Sequence, residues 1–86
     1  MPYITQAERE AIDPSLAEIV GCAGALSAGM LNYSITRIIN AAFRWHPSYT
    51  TANMLVGVLD SVKLEFYRRH VVPYEEQKMK ENGDVI

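Results

Sequence analysis

Between Lys63 and Tyr74 the chain reads Lys-Leu-Glu-Phe-Tyr-Arg-Arg-His-Val-Val-Pro-Tyr, and no other stretch holds so many groups able to do chemistry. Lys63, Arg68 and Arg69 are cations, while Tyr67, His70 and Tyr74 each join a ring to a polar atom. Guanidinium forks grip phosphate or carboxylate through paired hydrogen bonds, and aromatic rings stack on nucleobases. On a helix, the spacing of Lys63, Tyr67, His70 and Tyr74 puts them on one face. Arg68 and Arg69 are consecutive and so about 100° apart, which keeps them from facing one surface together. One can hold an anion while the other pairs with Glu65, its i+3 or i+4 neighbour. The bland alternative, a solvated basic face laced with helix salt bridges, fits the same residues. Arg37 and Arg44, on the preceding helix, are the cations able to extend such a pocket.

Other chemistries lack their parts. A nucleophile needs a base and an orienting group, and neither Cys22 nor Ser61 has one nearby in sequence, so a non-enzymatic protein is expected. His46 and His70 form no HxxxH or ExxH pair, and no metal or cofactor is expected. Neither a Gly-x-x-x-x-Gly-Lys-Ser/Thr nor a Gly-x-Gly-x-x-Gly motif is present.

The elements that must position these groups belong to a chain of 86 residues, 49% apolar and 21% charged, with net charge -2. That composition folds, but as one small domain (1–86) with a marginal core. Cys22 is the single cysteine, so no intrachain disulfide can help, and association is the expected supplement: a homo-oligomer. The net charge argues against coating an extended nucleic acid, although no acid occurs between Glu18 and Asp60 and local basicity is allowed. No secretory leader is read at the N-terminus, which makes the cytoplasm the expected compartment. Ile19 to Thr36 is uncharged, yet Gly21, Gly24, Ser27, Gly29, Asn32, Ser34 and Thr36 make it too polar to span a membrane.

The pattern is all-α: a small helical bundle with two short N-terminal helices, a helical hairpin and a long C-terminal helix broken or kinked at Pro73. Thr5-x-x-Glu8 has the form of a capping box and predicts a first helix from about Gln6 to Ile12. Asp13-Pro14 reads as the cap and first position of a second, ending near Cys22 and burying Leu16, Ile19 and Val20. Gly21 to Gly29 reads as a break with a loop. Met30 to Trp45 carries a buried stripe of Leu31, Ile35, Ile38, Ile39 and Ala42, with Tyr33 and Trp45 read as core in preference to interface. His46-Pro47 stops that helix. Ser48, Thr50 and Thr51 are candidate caps for the next, helical from Ala52.

In that helix Leu55, Leu59, Val62 and Phe66 follow the 3.5-residue seam of one helix lying along another. Continuing the count reaches Arg69 and then Pro73, so the seam has either left the core or entered a polar site, and Arg69 is the arginine expected to be buried against a partner or ligand and Arg68 the solvated one. Residues 75–86 read as a charged helical extension stopped at Asn82-Gly83, with Val85-Ile86 an apolar tail.

Several segments together resemble a family of small uncharacterised bacteriophage and prophage proteins, a domain of unknown function. They are Met1-Pro-Tyr-Ile, Ile12-Asp-Pro, Leu31-Asn-Tyr-Ser-Ile-Thr-Arg37, Gly57-Val-Leu-Asp, Lys63-Leu-Glu-Phe-Tyr-Arg-Arg69, Pro73-Tyr-Glu and Glu81-Asn-Gly-Asp-Val. The resemblance implies an accessory protein in the host cytoplasm and no assigned activity. Two functions then fit: a homo-oligomer that sequesters a phosphorylated, nucleotide-like molecule through its Arg/Tyr/His face, or a helical adaptor whose face docks an acidic host or phage protein.

Overall fold

The computed structural model describes residues 2–86; Met1, the first residue of the resembling segments, lies outside them. Among the described residues every regular element is helical, as the pattern predicts. They are α1 (Gln6–Cys22), a 3-10 turn (Ala23–Ala25), α2 (Ala28–Trp45), α3 (Tyr49–Phe66), a π-helical turn (Tyr67–Val71) and α4 (Val72–Asn82).

Helix ends follow local chemistry. The Thr5 hydroxyl accepts from the Glu8 backbone N–H at 3.2 Å, and the Glu8 carboxylate accepts from the Thr5 N–H at 3.2 Å, closing the capping box. Ser27 Oγ accepts from the Met30 N–H at 3.2 Å at the start of α2. Ser48 Oγ accepts from the Thr51 N–H at 3.0 Å, so of the three candidates Ser48 is the cap, and α3 starts at Tyr49 rather than Ala52. His46 leaves the helical region before Pro47, and Gly83, with φ of 91°, closes α4 in a conformation that a Cβ disfavours.

The two short N-terminal helices are one helix, α1, with Pro14 inside it. Proline's fixed φ is helical, and its missing N–H removes a single bond to the preceding turn, a loss that α1 sustains without ending. The predicted loop at Gly21 to Gly29 contracts to the 3-10 turn and Leu26-Ser27, with Gly21 in α1 and Gly29 in α2. At the other end the disturbance precedes Pro73: the Val72 N–H reaches back five residues to the Tyr67 carbonyl, and α4 follows without a break. A π turn releases the carbonyl that the proline ring would otherwise meet.

Residue contacts divide the chain into two compact units, Tyr3–Leu55 and Pro2 with Val56–Ile86. Within the first, α1 makes its extensive contacts with the adjoining 3-10 turn rather than with α2, so the expected bundle packing of these helices does not form. Leu16, Ile19 and Val20 on α1, and Leu31, Ile35, Ile38 and Ala42 on α2, are exposed; Ile39 and Phe43 are half-buried. Within the second, α4 continues directly from the π turn, and Pro2 lies beside Val58, Ser61 and Val62. Among the described residues Leu55 and Thr51 are the only buried side chains.

Thr5→Ala should lower the stability of α1 by about 1 kcal/mol, and Pro14→Ala should raise it by up to about 3 kcal/mol. Thermal melts followed by circular dichroism at one fixed concentration would show both; an unchanged midpoint for Pro14→Ala would mean that α1 already bends around the proline at no cost.

Candidate functional site

Glu65 organises the basic stretch of the second unit. It sits half-buried at the end of α3, one turn before Arg68 and Arg69. Arg68 meets it as a fork, Nη2 to Oε1 at 2.6 Å and Nε to Oε2 at 3.4 Å. Arg69 Nη1 approaches the same Oε1 at 3.7 Å. Both guanidiniums remain largely in solvent: Arg68 is solvated as expected, and Arg69 is not buried within this chain.

Residues three and four apart are neighbours on a helix. Four past Phe66 lies His70, and their rings meet at 4.9 Å with a 42° tilt. Four past Glu65 lies Arg69, whose guanidinium reaches back toward that carboxylate.

Tyr67 spans the turn in the other direction. Its hydroxyl donates to Glu75, 3.2 Å from each carboxylate oxygen. That hydrogen bond, then the charge of Glu75, then slight desolvation hold the phenol above its ordinary value of 10.0. Tyr74 lies under Lys78, whose ammonium is 5.6 Å from the ring centroid. Lys63 pairs loosely with Asp60 at 3.9 Å in full view of solvent. Lys63, Tyr67, Arg68, Arg69, His70 and Tyr74 thus share one helical stretch, with carboxylates already holding Lys63, Tyr67 and both arginines.

Arg37 and Arg44 belong to the first unit, on a helix that contains no Asp or Glu. Seven residues apart, they lie on one face, about 10 Å apart along the axis. Arg37 Nη1 donates to the Tyr33 hydroxyl at 2.9 Å, and its guanidinium stands 5.8 Å from the Tyr33 ring centroid. Together with Ile38, Asn40, Ala41 and Trp45 they line an open hollow on α2. Trp45 is 92% exposed and Tyr33 is exposed too, so neither is the core residue that its size suggests. Beside Arg44 the Trp45 indole is a stacking surface that the helical spacing gave no reason to count with the arginines. Glu75, four residues past the π turn, is the other participant that no motif marks.

Among the described residues there is no cluster of three or more His, Cys, Asp and Glu side chains placed to hold a metal ion, and no helix long and apolar enough to cross a membrane. The model of the family described as "Domain of unknown function (DUF6899)" matches residues 1–85, and the chain belongs to that family. None of the curated proteins and none of the solved structures compared with the chain matches it. The family match carries no phage assignment.

Raised above its unfolded value, the Tyr67 pKa makes the Tyr67–Glu75 bond a contribution that is complete below about pH 10 and lost as pH rises through the folded value. Glu75→Gln should therefore move the phenol back toward its ordinary value, read by the ultraviolet absorbance of phenolate in a pH titration. An unmoved transition would show that Glu75 does not set it.

Proposed function

We propose that this member of the DUF6899 family is a non-enzymatic helical interaction module that works as a homo-oligomer and docks other helices on its apolar faces. The observation that carries this reading is the exposure of Leu16, Ile19, Leu31, Ile35 and Ile38, residues at core spacing on α1 and α2. Apolar residues at core spacing that stay one-third to more than half exposed mark an interaction surface or an aggregation hazard, and helices of 17 and 18 residues are marginal without burial. In the accessory role that the phage resemblance implies, the docked partner is a host or phage protein. Ile35→Asp with Ile38→Asp should abolish self-association in sedimentation and the capture of any partner in pull-down, whereas Lys80→Asp should leave both intact. A helical wild-type monomer that captures nothing would sink the proposal.

One observation favours a second reading, in which a phosphorylated, nucleotide-like anion binds. Arg37 and Arg44 lack any acid on their own helix, and Trp45 offers a bare ring beside them. At the other cluster an anion would have to share Arg68 and Arg69 with Glu65. Thermal shift against a panel of cyclic and linear nucleotides tests this: stabilisation should vanish in Arg37→Ala/Arg44→Ala. Glu65→Gln should strengthen binding only if Arg68 and Arg69 form the site. No shift with any nucleotide would remove the reading.

A further inference from the structure

α1 and α2 carry matching apolar rows. Ile12, Leu16 and Ile19 on α1 step by four and three, as do Leu31, Ile35 and Ile38 on α2, and all six are between 36% and 58% exposed. That is the seam of a helix paired lengthwise with another. Laid antiparallel, the two rows share one register: Ile12 opposite Ile38, Ile19 opposite Leu31, and Leu16 within about 1.5 Å of level with Ile35. The chain does not close that pair on itself. α1 makes its extensive contacts with the 3-10 turn rather than with α2. The link between them is ordered, since the Leu26 N–H donates to the Ala23 carbonyl at 3.1 Å and Ser27 caps α2. We infer that α1 of a second copy of this chain lies antiparallel on α2, setting its Ile12, Leu16 and Ile19 against Ile38, Ile35 and Leu31, and that the exchange is reciprocal. The inference rests on the interaction reading above and names the occupant of the α2 face.

Charge and register together select a second copy. α1 holds the acids Glu8, Glu10, Asp13 and Glu18 against the single cation Arg9, whereas α2 holds Arg37 and Arg44 and no acid. Among the described residues no ion pair engages Asp13, Glu18, Arg37 or Arg44, so the opposite charges of the two helices are left open. α1 against α2 is attractive, while α1 against α1 or α2 against α2 sets like against like. The register points the same way. Ala23 to Ser27 is a link of the length that joins antiparallel helices in a hairpin, and rows matched for such a hairpin are met equally well by the same helix of another molecule. That is the exchange of one element between identical protomers.

Cysteine pairs read the register directly. In a Cys22→Ser background of the full chain, Ile12→Cys/Ile38→Cys should form an interchain disulfide on mild oxidation, seen as a covalent dimer on a non-reducing gel. Ile12→Cys/Tyr33→Cys should not, because Tyr33 is as exposed as Ile38 but lies nearly half a turn from the row. Mixing the single variants Ile12→Cys and Ile38→Cys should give the mixed covalent dimer in preference to either homodimer. In sedimentation equilibrium the wild type should be dimeric or larger, and Leu16→Glu/Ile35→Glu should weaken its association by about 30-fold or more.

An intrachain disulfide in Ile12→Cys/Ile38→Cys without a covalent dimer would mean that α1 folds back on its own α2, and would overturn the inference. An associated chain that forms no disulfide between Ile12→Cys and Ile38→Cys, or that cross-links equally through Tyr33→Cys, would also overturn it and leave the interaction reading standing. A wild-type monomer overturns it whatever else it binds; if that monomer captures no partner, the interaction reading falls with it.

Discussion

The described helices satisfy their own backbone and leave many of their apolar side chains exposed. Backbone hydrogen bonds close within a turn, and the caps at Thr5, Ser27, Ser48 and Gly83 need nothing from distant residues. Hydrophobic burial is different, since it needs a second surface. Within the described residues that surface buries Leu55 and half-covers Leu26, Ile39, Phe43, Val71 and Val72. An isolated helix of this length gains too little from propagation to offset its nucleation and ordering cost by a wide margin. The helices and the missing cover therefore belong to one problem, which the association proposed above would solve without any change in local structure.

How much of this was legible in the sequence follows from the range of each interaction. The capping box at Thr5 and Glu8, the stop at His46-Pro47 and the stop at Gly83 were legible because two to four neighbouring residues decide them. Pro14 was misread as a helix start because Asp13-Pro14 has the right chemistry for one, while a helix running through it loses a single hydrogen bond and gains continuity. The stripe of Leu31, Ile35 and Ile38 was also read from true periodicity. Periodicity says that a face wants burial but not which molecule supplies it, and here the same chain does not. Trp45 is the extreme case: its size argues for a core, and its position two residues before Pro47 puts it in solvent.

The candidate site turns on which side chains share a helical face across Phe66. Counting the Leu55, Leu59, Val62, Phe66 seam onward by three reaches Arg69 and by four reaches His70, and both are helical neighbours of Phe66. The His70 ring takes the contact, and the Arg69 guanidinium reaches back to Glu65. The π turn closed by the bond from the Val72 N–H to the Tyr67 carbonyl follows that contact and leads into α4 and Pro73.

Helical spacing also decides the electrostatics. A buried Arg69 would have needed a partner anion, and a ligand phosphate was an attractive one. Exposed and turned toward Glu65, it already has a carboxylate, shared with Arg68. Tyr67 is likewise engaged, by Glu75. The stretch richest in chemistry is thus balanced by nearby acids, Asp60, Glu65 and Glu75. On α2 the charges are unbalanced: Arg37 and Arg44 stand on a helix without an acid, beside an exposed indole. If an anion is bound by this protein, the excess of positive charge favours α2 over the more conspicuous cluster.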